Sequence, residues 1–194
     1  VIAIVNYGVG NIMSLKNFLE RFDNFVSVTD APETILMADL VVLPGVGHFG
    51  PAMRQLNRSG LAEALGKRHD AGGPILGICL GMQLMFESSL EDPDALGFGW
   101  FSGHVDLFSS ELITPHMGWN SVLWDGVLAD YYFVHSYKVS MDLDENAEIG
   151  YASYGEKFPA IIRHKNICGV QFHPEISSNV GITFMKNLME AWQL

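Results

Sequence analysis

Apolar residues in the first half of the chain fall into short unbroken runs, separated by stretches of helical period. Val1-Ile2-Ala3-Ile4-Val5 is apolar throughout and predicts a buried strand over about residues 1–6. Ile12, Leu15, Leu19 and Phe22 then recur at helical spacing, predicting an amphipathic helix over about residues 11–22. Phe25 to Val28 reads as a short strand, Pro32 opens a short helix, and Leu40-Val41-Val42-Leu43 is a strand stopped by Pro44-Gly45. Helical stretches around 49–57 and 60–70 lead into a last apolar run that ends at Cys79. Strands alternating with helices imply a parallel sheet with helices on both faces.

The pattern changes from about residue 97 to residue 173. Short strand signals separated by turns take over: Gly97-Phe98-Gly99-Trp100, Trp119-Asn120-Ser121-Val122, Tyr131-Tyr132-Phe133-Val134, Ala160-Ile161-Ile162 and Cys168-Gly169-Val170-Gln171-Phe172. Ser109 to Pro115 is the expected internal loop. A final helix carries Phe184, Met185, Leu188, Met189 and Trp192 on one face. The expectation is one domain over residues 1–194, an α/β fold whose mostly parallel central sheet continues into an antiparallel extension.

Charge narrows the partners. Lys plus Arg is 11 against 22 Asp plus Glu, a net charge of -11, which argues against nucleic acid or an anionic membrane as the main partner. No apolar run approaches the roughly 18 residues of a membrane span. The apolar start lacks a basic leader and a cleavage site, so it reads as a strand of a cytoplasmic chain, and the missing initiator Met reads as processing or trimming. Cys79 and Cys168 are expected as free thiols.

The candidate chemistry starts at Cys79. Gly77-Ile78-Cys79-Leu80-Gly81 places it where an apolar strand turns into a helix, with a glycine two residues to either side. Such an elbow holds a nucleophile on a strained turn above a sheet. The helix start brings free N–H groups and a positive partial charge near the sulfur. A nucleophilic thiol needs a base, and the base needs an orienting group. Of the seven histidines, His173 has that form: it follows an apolar strand, and Glu175 lies two residues on in His173-Pro174-Glu175. Its plainer reading is a turn-capping His with a helix-start Glu. Attack on a carbonyl also needs an oxyanion hole. The loop Gly45-Val46-Gly47 and the backbone N–H of Leu80 are the candidates.

Other motifs fail. Gly8-Val9-Gly10 opens like a dinucleotide loop, but Met13 stands where the third glycine belongs. Neither C-x-x-C nor H-E-x-x-H occurs, and pairing His164 with His173 as metal ligands is disfavoured. No metal and no cofactor are expected.

Gly77-Ile78-Cys79-Leu80-Gly81-Met82-Gln83 together with Gln171-Phe172-His173-Pro174-Glu175 resembles the class I, triad-type glutamine amidotransferases. Asn6-Tyr7-Gly8-Val9-Gly10-Asn11, Pro44-Gly45-Val46-Gly47, Pro115-His116-Met117-Gly118-Trp119-Asn120 and Phe133-Val134-His135-Ser136-Tyr137 narrow the likeness to the glutaminase subunits of imidazole glycerol phosphate synthases, across essentially the whole chain. The resemblance implies a three-layer, flavodoxin-like fold and a Cys79, His173, Glu175 triad acting on glutamine through a glutamyl thioester. It implies an oxyanion hole from Gly45, Val46, Gly47 and Leu80, in a loop that must rearrange. Gln83, His135, Ser136 and Tyr137 would hold the substrate.

The resemblance also implies a heterodimer with a (β/α)8-barrel cyclase, which would use the ammonia to make imidazole glycerol phosphate and AICAR in histidine biosynthesis. Asn11, Met117, Trp119, Tyr132 and Ile176 would face that partner. Plainer readings make Trp119 and Tyr132 core aromatics and Asn11 a helix N-cap. Ile176 departs from the family, which often has Lys there. That leaves open a related subunit feeding ammonia to another synthase, such as one in surface-sugar biosynthesis.

Overall fold

The computed structural model describes residues 1–8, 10–141 and 146–194. Val9, in the middle of the glycine pair near the N-terminus, therefore lies outside the described residues. The first half runs β1 (Ile2–Val5), α1 (Ile12–Leu19), β2 (Val26–Thr29), α2 (Pro32–Met37), β3 (Leu40–Leu43), α3 (Phe49–Arg58), α4 (Leu61–Asp70), β4 (Ile75–Ile78) and the single turn α5 (Leu80–Gln83). The second half adds β5 (Phe86–Ser89), β6 (Phe101–Leu107), β7 (His116–Trp124), β8 (Val127–His135), β9 (Tyr137–Ser140), β10 (Glu148–Tyr154), β11 (Glu156–His164), β12 (Ile167–Val170), a 3-10 turn at Pro174–Ile176 and α6 (Ser178–Ala191).

Among the described residues, nine strands form one sheet in the order β2-β1-β3-β4-β12-β11-β10-β7-β8. The strands from β2 to β12 run parallel, and those beyond β12 alternate in direction. The unbroken apolar runs are explained by burial on both faces. In β1, Ala3 and Val5 pack on the side of α2, α3 and α4, while Ile2 and Ile4 pack on the side of α1 and α6. Three layers result.

Three expectations need correction. The second half is not wholly an extension of the main sheet, because β5, β6 and β9 form a separate three-stranded sheet with β5 parallel to β6. Gly97 to Trp100 is not a strand. Gly99 takes φ +64°, and Phe98 and Trp100 stack on one another at 4.3 Å before β6 begins. The first helix also stops at Leu19, with Phe22 packed edge-on against Phe18 at 5.3 Å just beyond it. Ser109 to Pro115 lies outside any strand, as expected.

What the fold does for chemistry follows from three adjacent strands. β4 pairs in parallel with β3 on one side and β12 on the other. The carboxyl ends of all three therefore meet at one sheet edge, where open α/β sheets collect ligands.

Candidate active site

Each of those strand ends delivers one part of a site. β4 runs into Cys79, whose N–H is still bonded to the Val170 carbonyl of β12 at 2.7 Å. The chain then turns abruptly. Cys79 takes φ 54° and ψ −109°, a conformation that side chains other than glycine seldom adopt and that costs on the order of 1–3 kcal/mol. The glycines beside it are required by close approach. A Cβ on Gly81 would lie 1.9 Å from the Leu43 carbonyl oxygen of β3, and one on Gly77 would lie 2.6 Å from the Gly81 carbonyl oxygen.

His173 stands just beyond β12. Its N–H donates to the Tyr132 carbonyl of β8 at 2.9 Å, and its own carbonyl accepts from the Ser177 hydroxyl at 2.6 Å. Ser177 Oγ in turn accepts the Tyr132 N–H at 3.0 Å, so one buried serine ties the histidine loop to the edge strand. Imidazole Nδ1 and Glu175 Oε1 are 2.9 Å apart. Nε2 is buried and has no hydrogen-bond partner among the described residues, nor has Glu175 Oε2. Burial alone would lower the pKa of this ring, but the neighbouring Cys79 sulfur and Glu175 outweigh it and raise the value to about 10.

The sulfur has two contacts of its own. Cys79 Sγ donates to the Val134 carbonyl at 3.9 Å and accepts from Gln171 Nε2 at 3.6 Å. A cavity of about 560 Å³ opens beside it, lined by Val46, Gly47, Leu80, Gln83, His135, Ser136 and Tyr137 among others. The substrate residues expected from sequence are thus brought together around Cys79. Gln83 reaches the Tyr137 carbonyl with Nε2 at 3.0 Å. His135 Nδ1 lies 2.8 Å from the same carbonyl, and its Nε2 lies 2.9 Å from His116 Nδ1. Since a carbonyl only accepts, His135 carries its proton on Nδ1 and must accept from His116. Burial among Phe108, Phe133 and Phe158 lowers its pKa to about 3.

The loop after β3 bears on the oxyanion question. Tyr7, buried just after β1, donates its hydroxyl to the Pro44 carbonyl at 2.5 Å. Gly45 presses against the elbow, and a Cβ there would meet Leu80 Cβ at 2.7 Å. Its carbonyl points at the elbow and accepts the Leu80 N–H at 3.4 Å. Val46 is 45% exposed, and Gly47 takes φ +112°.

A smaller cleft of about 190 Å³ lies on the other side of this loop, lined by Asn11, Gly45, Val46, Val134, His173, Glu175 and Ile176 among others. Val46 and Val134 border both spaces. Nearby, Met117 and Trp119 project from β7 opposite Val134 and Tyr132 of β8. They are 60% and 54% exposed, so Trp119 is not a core aromatic; Tyr132 is half-buried and meets it edge-on at 6.0 Å. Asn11 is the N-cap of α1, accepting from the Ser14 N–H at 3.4 Å. Ile176 is 43% exposed.

Sequence reasoning assigned no part to Gln171, His116, Asn120, Tyr7 or Ser177. A signal existed for Gln171: an amide between Val170 and Phe172 in an apolar run must find a buried partner. Both cysteines are free, and burial pushes the Cys168 thiol up to about 12. No helix among the described residues is long and apolar enough to cross a membrane.

Comparison with known proteins agrees with this geometry. Residues 3–191 match the family model described as glutamine amidotransferase class-I. The chain is 42% identical to "Imidazole glycerol phosphate synthase subunit HisH" of Oceanobacillus iheyensis, covering 98% of each chain. It is 45% identical to the protein of the same name in Carboxydothermus hydrogenoformans, over 96% of this chain and 98% of that one. A solved structure titled "Crystal structure of glutamine amidotransferase" superposes with a TM-score of 0.82 at 17% identity, covering all of both chains, which shows the shared fold.

Proposed function

The chain belongs to the class-I glutamine amidotransferase family, and we propose that it is the glutaminase subunit of an imidazole glycerol phosphate synthase in histidine biosynthesis. The observation that carries this reading is the strained Cys79 elbow next to a His173 already paired with Glu175.

In the proposed reaction, glutamine lies in the cavity beside Cys79, held by Gln83, His135, Ser136 and Tyr137. His173 Nε2, whose pKa is raised beside the sulfur, already holds the thiol proton as the sulfur bonds to the side-chain carbonyl carbon. The carbon–nitrogen bond then breaks, and the leaving ammonia takes the proton from His173. Water adds to the thioester carbon and gives a proton to His173. The carbon–sulfur bond breaks and glutamate leaves, with the proton from water resting on His173 beside the sulfur. Glu175 orients the ring and favours its charged form.

The tetrahedral intermediate needs two donors, and here one is occupied. The Leu80 N–H is spent on the Gly45 carbonyl. A turn of the Gly45–Val46 peptide would remove that carbonyl and bring the Val46 N–H toward the cavity; glycine at 45 and 47 permits it. In the proposed reading the isolated subunit is therefore slow, and a docked partner turns the loop. The partner is a (β/α)8-barrel cyclase. It would cover the exposed Met117, Trp119 and Ile176 and receive ammonia beside His173, all in the cytoplasm.

The test is glutamine-dependent against ammonia-dependent product formation with a candidate cyclase. Cys79→Ser should abolish the first and spare the second. Unchanged glutamine-dependent turnover in Cys79→Ser would refute the nucleophile. A second reading, the same chemistry feeding another synthase, rests on Ile176; the barrel protein that copurifies distinguishes the two.

A further inference from the structure

Gln171 is fully buried immediately after β12, two residues before His173. Neighbours fix the direction of its amide. The Tyr137 carbonyl can only accept, so the Gln83 atom 3.0 Å from it is Nε2. The same Nε2 lies 3.0 Å from Gln171, which must therefore present Oε1. That leaves Gln171 Nε2 facing Cys79 Sγ at 3.6 Å. One backbone carbonyl thus sets the polarity of two side-chain amides in series and delivers an N–H to the sulfur. With both Gln83 N–H groups used within the protein, its Oε1 is the group left at the cavity wall.

We propose that Gln171 is a catalytic residue. Its amide N–H donates to the Cys79 sulfur and strengthens as the sulfur gains negative charge, while its carbonyl accepts from the Gln83 amide and so fixes which end of its own amide meets the sulfur. The inference rests on Cys79 being the nucleophile. A hydrogen bond to an ionised group is about twice as strong as a neutral one, so the contact favours the attacking state over the resting thiol. The donor is also dry and already in place, needing no reorganisation as charge builds. It stands directly after β12 and two residues before His173, so one segment brings both the donor and the base to the sulfur.

The groups around the sulfur that carry or exchange charge are His173 with Glu175 behind it, Tyr7 from the end of β1, and His135 from the end of β8; His48 and Glu91 lie farther along the cavity wall. Gln171→Met removes the donor and changes none of them. Gln171→Glu places an acceptor against the sulfur. Iodoacetamide alkylation of Cys79 in the full chain, followed against pH, reads the effect. Cys168 does not interfere, because burial holds its thiol up at about 12.

The expected result is an upward move in the alkylation midpoint of about one pH unit in Gln171→Met, a tenfold loss of reactive sulfur at a given pH below the midpoint, and a larger move in Gln171→Glu. Unmoved midpoints in folded variants would overturn the proposal. Should either variant fail to fold, wild-type protein decides. The Gln171 side-chain amide resonance should shift with the same midpoint as the thiolate ultraviolet absorbance, and an amide that ignores that titration would overturn the proposal. None of these readouts uses glutamine turnover. A chain that hydrolyses glutamine with unmoved midpoints loses this inference alone, and one with moved midpoints and no turnover loses the proposed function alone.

Discussion

His116 and His135 face each other across β7 and β8 with their ring nitrogens 2.9 Å apart, and neither can take a second proton without breaking the chain they form. Asn120 Nδ2 lies 3.2 Å from His116 Nε2 and donates to the Ser153 carbonyl at 2.8 Å; His135 closes the other end on the Tyr137 carbonyl. Burial lowers the pKa of both rings, that of His135 to about 3. Between that value and the unfolded value of about 6.5, the unfolded chain binds more protons, so stability is complete above about pH 6.5 and is lost as pH falls. Urea midpoints should drop on acidification through this window, and the His135 ring should show no titration near neutral pH by NMR. A ring that titrates at about 6.5 contradicts the relay.

His173 has the opposite sign. Its pKa is raised to about 10, so its stabilising share is complete below the unfolded value of about 6.5 and fades as pH climbs through 10. The unfolding free-energy difference between wild type and His173→Gln should be larger at about pH 6 than at about pH 10. An equal difference at both would mean that Cys79 and Glu175 do not hold the proton on this ring.

Glu175→Gln keeps the shape of the pair and removes its charge. Loss of the orienting carboxylate should lower kcat for glutamine by about 10²–10⁴. KM should change little, because Glu175 lines the smaller cleft and not the cavity that would hold glutamine. A variant with unchanged kcat would leave Glu175 as a mere helix-start residue.

The elbow makes a stability prediction. In Gly81→Ala the new methyl would lie 1.9 Å from the Leu43 carbonyl oxygen, which the sheet holds in place. Relief requires the α5 turn to move away from the end of β3, at a cost of about 1–3 kcal/mol or more by chemical denaturation, with a larger loss of activity. A variant of native stability would contradict the close packing of the turn.

On the proposed docking face, Trp119→Ala removes a large, half-exposed ring from above Tyr132. It should weaken binding to a barrel cyclase by about 2 kcal/mol, roughly 30-fold in Kd, and shift the thermal midpoint of the isolated chain little. Isothermal titration with the partner measures the first and a melting curve the second.

The parallel half was legible because strands buried on both faces must be apolar at every position, as at Leu40–Leu43 and Ile75–Ile78. The elbow was legible because glycines at 77 and 81 flank a single cysteine. The antiparallel half was less so. Alternation marks a strand but does not say which sheet it joins, so β5, β6 and β9 could not be separated from the main sheet. Residues such as Tyr7, His116 and Ser177 owe their roles to partners on other strands or distant loops, and spacing along the chain carries no such information.

The central claim is that Cys79 attacks glutamine and waits on its partner to turn the Gly45–Val46 peptide, which frees the Leu80 N–H and brings in the Val46 N–H. The most direct measurement is the glutaminase rate of the chain alone and in complex with a barrel cyclase carrying its nucleotide ligand. The expected result is a slow rate alone and a rise of about 10²–10³ or more in the complex, since one oxyanion donor alone is worth that much. A full rate without any partner would contradict it.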